Sequence, residues 1–128
     1  MDAELKRILL VENDTVTSNL IARNLRDLYD VTVASSADEA LALVNEQKFD
    51  GFLMDIHLGR GMSGVKLTQL IKEMPGYENT PFIAVTAFAM REEREEFLAG
   101  GLTHYISKPF KRQDLIDLLD SIFRNNLK

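Results

Sequence analysis

Five short apolar runs, separated by longer segments of helical periodicity, limit the fold of this 128-residue chain more than any other feature. Most runs are continuous rather than alternating, as strands are when helices cover both faces of a parallel sheet. The runs are Arg7–Val11, Val31–Ala34, Gly51–Met54, Phe82–Val85 and Thr103–Ile106. Strand–helix alternation repeated five times predicts an α/β fold: a doubly wound (βα)5 domain with a five-stranded parallel sheet and right-handed crossovers.

The segments between the runs carry apolar residues at helical spacing. In the first segment, the residues that we predict to share one helical face are Val16, Leu20, Ile21, Leu25 and Leu28. The second segment opens on Ser36-Ala37-Asp38-Glu39, a capping-box sequence. The fourth ends at Gly100-Gly101, and glycine is typical of helix C-caps.

Composition and charge exclude several classes of protein. There is no cysteine, which excludes disulfides and thiolate metal sites. No apolar run approaches the ~20 residues of a membrane helix. The formal net charge of -5, with Lys and Arg scattered, argues against a nucleic-acid surface. We therefore expect residues 1–128 to form one acidic, cytoplasmic domain without a membrane or nucleic-acid partner.

Polar residues stand where the runs end, and in open α/β sheets ligands bind at the carboxyl ends of the strands. The first run is followed by Glu12-Asn13-Asp14 and the third by Asp55. The fourth is followed by Thr86 and the fifth by Ser107-Lys108-Pro109-Phe110. If these ends converge, a central carboxylate faces other acids, a hydroxyl group and an ammonium group.

Such a cluster has a specific chemistry. Clustered carboxylates repel one another, and a hard divalent cation held by oxygen ligands relieves the repulsion. Mg²⁺ takes one or two protein carboxylates and leaves positions for phosphoryl oxygens. A carboxylate beside it can attack phosphorus to give an acyl phosphate. Lys108 and Mg²⁺ would neutralise the transferred group, and Thr86 would donate a hydrogen bond to it.

Four motifs together carry a family resemblance over almost the whole chain. They are Ile8-Leu9-Leu10-Val11-Glu12, Leu53-Met54-Asp55-Ile56, Thr86-Ala87 and Tyr105-Ile106-Ser107-Lys108-Pro109-Phe110. In this order, each at a strand end, they resemble the receiver domain of two-component response regulators, the CheY-like module. The resemblance implies the flavodoxin-like strand order 2-1-3-4-5.

The resemblance also implies a role for each matched residue. Asp55 would accept a phosphoryl group from a histidine kinase or histidine phosphotransfer protein. Mg²⁺ would be bound by Glu12, by the side chain of Asn13, by Asp55 and by the backbone carbonyl of His57. Such a domain is a regulatory phosphoacceptor rather than an enzyme; at most it catalyses its own phosphorylation and dephosphorylation.

The resemblance implies further roles in contacting the phosphoryl group and in passing the signal to a partner. Thr86 and Lys108 would contact the phosphoryl oxygens, and Thr86 and Tyr105 would be the switch pair. The fourth helix, fifth strand and fifth helix would form the output face. Its partner would be a downstream protein, a covalently linked output domain or, on phosphorylation, a second copy of the chain.

The sequence departs from the family pattern after the first strand. Receivers usually carry two consecutive acids there, and this chain has Glu12-Asn13. An amide oxygen can bind a hard cation but has no formal charge, so we predict weaker Mg²⁺ binding. Asp14 is a badly placed substitute.

Two departures affect neighbouring loops. Gly59 stands where the family usually has proline, and its glycine-rich loop, residues 59–64, is one residue longer, which favours a mobile segment. His57 and Phe88 occupy positions that, in the family that this chain resembles, influence the lifetime of the acyl phosphate. Bulky Phe88 is predicted to slow its hydrolysis.

Simpler explanations compete at each position. Asp55 could cap the next helix, Lys108 could be a solvated loop lysine, and Thr86 could be only the last β-branched strand residue. Tyr105 could be ordinary packing, and His57 and His104 are most simply surface residues.

Three alternatives remain for the function as a whole. A pseudo-receiver would act as a constitutive interaction module, because Asn13 weakens the Mg²⁺ site. A cofactor binder such as a flavodoxin would use the same fold, although the acids after the first strand would repel a phosphate. The receiver could also be a stand-alone protein or one domain of a hybrid kinase or larger regulator.

Overall fold

The computed structural model describes residues 5–58, 61–87 and 91–125, within which strands and helices alternate throughout. In chain order the elements are β1 (Arg7–Val11), α1 (Thr15–Leu25), β2 (Asp30–Ala34), α2 (Ala37–Glu46), β3 (Gly51–Asp55), α3 (Gly64–Lys72), β4 (Phe82–Thr86), α4 (Arg91–Ala99), β5 (His104–Ser107) and α5 (Arg112–Asn125). The predicted α/β alternation is confirmed.

The strands form one parallel sheet in the order β2-β1-β3-β4-β5, as predicted. The order reverses between β1 and β3, and a ligand crevice forms outside the carboxyl ends at such a reversal. β3 and β4 each extend one residue beyond the predicted run, so Asp55 and Thr86 are the last residues of their strands. β5 is shifted by one residue, to His104–Ser107.

Helices cover both faces of the sheet. On one face, α1 and α5 pack against β1, β3 and β4, and on the other α2, α3 and α4 do so. β3 and β4 are buried along their whole lengths, and the Phe52 and Phe82 rings stack at 4.4 Å between centroids. Continuous burial explains the continuous apolar runs. No helix in the described ranges is both long and apolar enough to cross a bilayer.

Two predicted helix ends are confirmed. The Ser36 hydroxyl accepts a hydrogen bond from the Glu39 backbone N–H at 3.1 Å. The Glu39 carboxylate reaches back to the N–H of Ser35 rather than to that of Ser36. After α4, Gly101 adopts a φ of 103°, a left-handed conformation that favours glycine.

The predicted apolar face of α1 is wrong in part. Ile21 and Leu25 are buried with Ser18, but Val16 is 76% exposed and Leu20 56% exposed. Leu28 lies beyond the helix and is also exposed. At 100° per residue Val16 lies half a turn from Leu25, so the two cannot face the sheet together. α1 therefore carries apolar side chains on its outer surface.

Candidate functional site

Two buried carboxylates meet at the carboxyl edge of the sheet. Glu12 directly follows β1, and Asp55 ends the adjacent β3. Val11 pairs with Met54 in the sheet, so the two acids stand at the same level of neighbouring strands. Glu12 is 2% exposed and Asp55 6% exposed, and their carboxyl groups are in hydrogen-bond contact. The predicted convergence at the site is present for this pair.

Burial raises the pKa of Asp55 to about 6, and the hydrogen bond to Glu12 and repulsion from its charge add to the effect. The His57 backbone N–H opposes this shift by donating to Asp55 Oδ1 at 3.1 Å. The Lys108 ammonium opposes it as well. The two acids therefore resist being ionised together, and a bound cation would relieve the repulsion.

Lys108 supplies the positive charge of the cluster. Its Nζ lies 3.2 Å from Oε1 of Glu12, and its side chain is 29% exposed. The other oxygen of Glu12, Oε2, accepts the backbone N–H of Asp14 at 3.1 Å. Lys108 is therefore an ion-paired residue of the site and not a solvated loop lysine.

Backbone contacts fix where Lys108 and Thr86 stand. The Lys108 N–H donates to the Thr86 carbonyl at 2.7 Å, and the Lys108–Pro109 peptide bond is cis. Thr86 is 1% exposed at the end of β4.

Tyr105 pairs with Ala84, two residues before Thr86, so Tyr105 and Thr86 lie on the same face of the sheet. Tyr105 is 39% exposed.

Asp14 is committed to the start of α1. Its carboxylate accepts the Thr17 backbone N–H at 3.0 Å and also the Thr17 hydroxyl. These hydrogen bonds hold the pKa of Asp14 below its usual value. Asn13 is exposed beside it. Asp14 is thus a helix cap, and the buried acids of the cluster are Glu12 and Asp55.

The described residues bring few ionisable side chains together that could bind a metal ion. Within the three described ranges, no group of three or more His, Cys, Asp or Glu residues could hold a metal ion.

The two histidines differ in exposure. His57 is exposed, whereas His104 is partly buried and its Nδ1 lies 2.8 Å from the Thr103 hydroxyl. Burial lowers the pKa of His104. The expectation of a surface histidine is confirmed for His57, and His104 is only partly buried, with its contact to Thr103 at the surface.

Asp55 does not cap the next helix. The N-cap of α3 is Ser63, whose hydroxyl accepts the Lys66 N–H at 3.2 Å. The role of Gly64, the first residue of α3, was not predicted from the sequence. A Cβ on Gly64 would lie 2.2 Å from the backbone oxygen of Asp55, so only glycine lets α3 start this close to the end of β3. The available signal was a glycine directly after the Ser63 cap. Glycine is unfavourable inside a helix, so its presence there indicates a structural reason such as close packing.

Two predictions fall on residues outside the described ranges. Gly59 begins the loop that we expect to be mobile, and Phe88 is the residue expected to slow acyl-phosphate hydrolysis. Both remain predictions from the sequence.

The sequence matches the response regulator receiver domain over residues 8–120. It is 33% identical over 113 residues to the signal transduction histidine-protein kinase BarA of Escherichia coli, covering 88% of this chain but 12% of BarA. It is 36% identical over 121 residues to the polar-differentiation response regulator DivK of Brucella ovis, covering 91% of this chain and 94% of DivK. The chain therefore spans a small part of BarA and almost all of DivK.

Two solved structures have closely similar folds. The receiver domain of sensor histidine kinase PA1611 from Pseudomonas aeruginosa superposes with a TM-score of 0.82 at 35% identity, covering 93% of this chain and 97% of that one. In that structure a magnesium ion is coordinated in the active site cleft. Chemotaxis protein CheY4 of Vibrio cholerae gives a TM-score of 0.87 at 25% identity, covering 91% and 98%. Fold, motif order and sequence agree: the chain belongs to the receiver domain family of two-component response regulators.

Proposed function

We propose that residues 1–128 form a single receiver domain that acts as a cytoplasmic phosphorylation switch, with Asp55 as the acceptor. The observation that carries the proposal is the meeting of Asp55, Glu12 and Lys108 at the carboxyl edge of the sheet. The donor is a histidine kinase or a histidine phosphotransfer protein. An Asp55 oxygen bonds to phosphorus as the N–P bond to the donor histidine breaks, and the imidazole keeps the electron pair.

The residues of the cluster fit Mg²⁺. Two adjacent buried carboxylates that raise each other's pKa are a donor set that a hard cation satisfies. The ligands would be Glu12, Asn13, Asp55 and the backbone carbonyl of His57. Bound Mg²⁺ supplies positive charge to the transferred phosphoryl group. The PA1611 receiver, which contains magnesium in its cleft, supports this assignment.

The chain's own residues then stabilise and report the phosphoryl group. The Lys108 ammonium neutralises its charge, and the Thr86 hydroxyl donates a hydrogen bond to it. Thr86 and Tyr105 share a face of the sheet, so movement of the hydroxyl toward the phosphate can change the burial of the ring. The face formed by α4, β5 and α5 would then change its affinity for a downstream protein, a linked output domain or a second copy.

The test is the intact mass of the protein after incubation with acetyl phosphate, with and without Mg²⁺. We expect a gain of about 80 Da, one phosphoryl group, only when Mg²⁺ is present. Asp55→Asn should abolish the gain, and Asp50→Asn, at an exposed acid directly before β3, should retain it. A protein that gains no mass would instead be a pseudo-receiver, for which Asn13 is the motivating residue.

We also propose that the phosphodonor docks on the outer surface of α1. Val16 is 76% and Leu20 56% exposed, and α1 begins three residues after Glu12. Val16 and Leu20 are four residues apart on one helix and so expose neighbouring apolar side chains, and a contiguous apolar patch beside a reaction site favours a protein contact. The donor must bring its histidine to Asp55, and this surface lies next to that approach.

Leu20→Glu is expected to slow phosphotransfer from a phosphorylated histidine phosphotransfer protein of the same organism by about tenfold, the loss of one good interface contact. Phosphorylation by acetyl phosphate, which needs no docking, should be unchanged. The matched control is Leu98→Glu on α4, at a position equally exposed (60%). Equal transfer rates for the Leu20 and Leu98 variants would count against docking on α1.

The cofactor-binding alternative has less support. The loop after β1 presents the buried acid Glu12 and the exposed acid Asp14, which repel a flavin phosphate. Family membership also favours a signalling role. The matches to BarA and DivK are consistent both with a domain of a hybrid kinase and with a stand-alone regulator.

A further inference from the structure

The outer edge of β2 is open to an additional strand. β2 is the first strand of the sheet, and among the described strands it pairs only with β1, residue for residue and without a bulge. Its sequence, DVTVA, contains no lysine or proline, and Val31, Thr32 and Val33 are partly exposed. Bulges, lysine, proline or a very short strand protect the edges of natural sheets from pairing. β2 is as long as the central strand β3 and has none of these protections, so a partner strand can pair with it.

The hydrogen bonds between β1 and β2 identify the backbone groups that face this edge. The Asp30 N–H and the Ala34 carbonyl form hydrogen bonds of 2.9 and 3.0 Å with the residues that flank β1. Both residues therefore point their backbone groups toward β1. Since the direction alternates along a strand, the N–H and C=O groups of Val31 and Val33 point away from β1, toward the open edge.

A groove borders this edge on the face of the sheet that α1 covers. Two surface cavities of about 420 Å³ each share Arg26 and Val31, so they form one continuous groove. The α1 residues along it are spaced three or four positions apart and lie on one side of the helix. They are Asn19, Ala22, Arg23 and Arg26. Val31, which packs toward α1 and α5, lines the groove from β2.

The groove is positively charged, although the whole chain has a formal net charge of -5. The charged residues that line it are Arg7, Arg23, Arg26 and Asp30, three arginines and one aspartate with a formal charge of +2. Arg7 Nε lies 3.6 Å from Asp30 Oδ2. Arg23 and Arg26 are exposed, and their guanidinium groups have no hydrogen-bond or ion-pair partner within the part of the chain that the structure describes. Guanidinium groups placed in this way can bind carboxylates.

We propose that the open edge of β2 binds an extended segment of a partner protein that carries acidic side chains at alternate positions. The segment adds a strand to the sheet by pairing with the backbone of Val31 and Val33. Alternate side chains of a strand share a face, and the face of Val31 and Val33 is the one that packs toward α1. Carboxylates at those positions of the added strand meet Arg23 and Arg26. The backbone pairing supplies affinity, and the two arginines select an acidic segment.

This groove is separate from the reaction site. α1 begins three residues after Glu12, whereas Arg23 lies in its last turn and Arg26 is its C-cap. A helix of 11 residues is about 16 Å long, so the two arginines lie toward the opposite edge of the sheet. The described residues Val16 and Leu20 do not line the groove. The inference therefore goes beyond the proposed function and does not depend on it.

The probe is a short fluorescein-labelled peptide in which glutamate alternates with threonine. It is titrated with the unphosphorylated protein and followed by fluorescence anisotropy. The double variant Arg23→Gln/Arg26→Gln should weaken binding by about tenfold, through the loss of two exposed ion pairs. The matched control, Lys66→Gln/Lys111→Gln, removes the same charge from two exposed lysines outside the groove and should bind as the parent does.

A second peptide tests the strand pairing. Proline in place of each threonine keeps the acids but removes backbone N–H groups, so this peptide cannot pair as a strand and should bind about tenfold more weakly. In ¹H–¹⁵N NMR spectra, the glutamate–threonine peptide should shift the amide resonances of Val31 and Val33. The resonances of β5, the strand at the opposite edge of the sheet, should stay in place.

The proposal is overturned if the glutamate–threonine peptide does not bind, if the proline peptide binds equally well, or if the arginine and lysine variants bind alike. Displacement of the peptide by inorganic phosphate at matched ionic strength also overturns it, because the groove would then be a site for small anions. Circular dichroism confirms that each variant is folded. Asp55→Asn should bind the peptide as the parent does, so failure of the phosphoacceptor role and failure of this inference are distinguishable.

Discussion

Asp55→Asn is expected to raise the free energy of unfolding by about 3 kcal/mol at pH 8 in metal-free buffer, although it removes the proposed acceptor. The pKa of Asp55 is raised from 3.8 to about 6 by burial and by Glu12. Between these values the folded protein binds more protons than the unfolded chain, so stability falls as pH rises. Above pH 6 the full penalty of the buried charge is present, and a neutral amide of the same shape removes it.

The measurement is urea unfolding of the two proteins with EDTA at pH 8 and at pH 4. Near pH 4 the folded protein holds the Asp55 proton, so most of the difference should disappear. Asp50→Asn, an exposed acid directly before β3, is the control: its amide oxygen can still accept the Arg7 N–H, so stability should change little at either pH. Equal stability of the parent and Asp55→Asn at pH 8 would mean that ionised Asp55, buried beside Glu12, does not destabilise the folded protein.

Because the buried charge of Asp55 lowers the free energy of unfolding, the stability of the protein should depend on Mg²⁺. Mg²⁺ bound by the folded protein stabilises it by mass action, and ligation favours the ionised form of Asp55. We therefore expect the parent protein, but not Asp55→Asn, to gain stability on addition of Mg²⁺. A site that is costly when empty and favourable when occupied is one in which function is retained at the expense of stability.

The sequence predicted the sheet and the edge at which the site lies, because local patterns carry that information. Continuous apolar runs report burial on both faces, and the residues that end those runs report the carboxyl edge. Asp55 and Thr86 were placed correctly at that edge without any knowledge of their neighbours. The strand order, which no local pattern encodes, came from the family resemblance.

Contacts between distant parts of the chain could not be predicted in the same way. Glu12 and Lys108 are 96 positions apart, and only the folded sheet shows that they pair. The outer surface of α1 was also misjudged, because an apolar residue at helical spacing does not reveal whether it faces a core or a partner. Val16 and Leu20 satisfy the periodicity and are nevertheless exposed.

Asn13→Asp is expected to tighten Mg²⁺ binding by about ten- to a hundredfold, because a charged carboxylate replaces a neutral amide among the proposed ligands. Asn13 is exposed, so the new charge needs little desolvation. Asp14 cannot provide the missing charge, since its carboxylate is used by Thr17 at the start of α1. The affinity is measured by calorimetry at pH 8, with Asn19→Asp as the control that adds the same charge at an exposed position of α1.

Asn13→Asp should be less stable than the parent without Mg²⁺ and more stable than the parent with it. Without Mg²⁺, a third carboxylate beside Glu12 and Asp55 adds repulsion and lowers the free energy of unfolding. With saturating Mg²⁺, the tighter site adds more binding energy than this repulsion costs, and the variant becomes the more stable protein. Asn19→Asp should show no reversal. If Asn13→Asp leaves both the Mg²⁺ affinity and the order of stabilities unchanged, the side chain at position 13 does not face the metal, and the two carboxylates bind it without help.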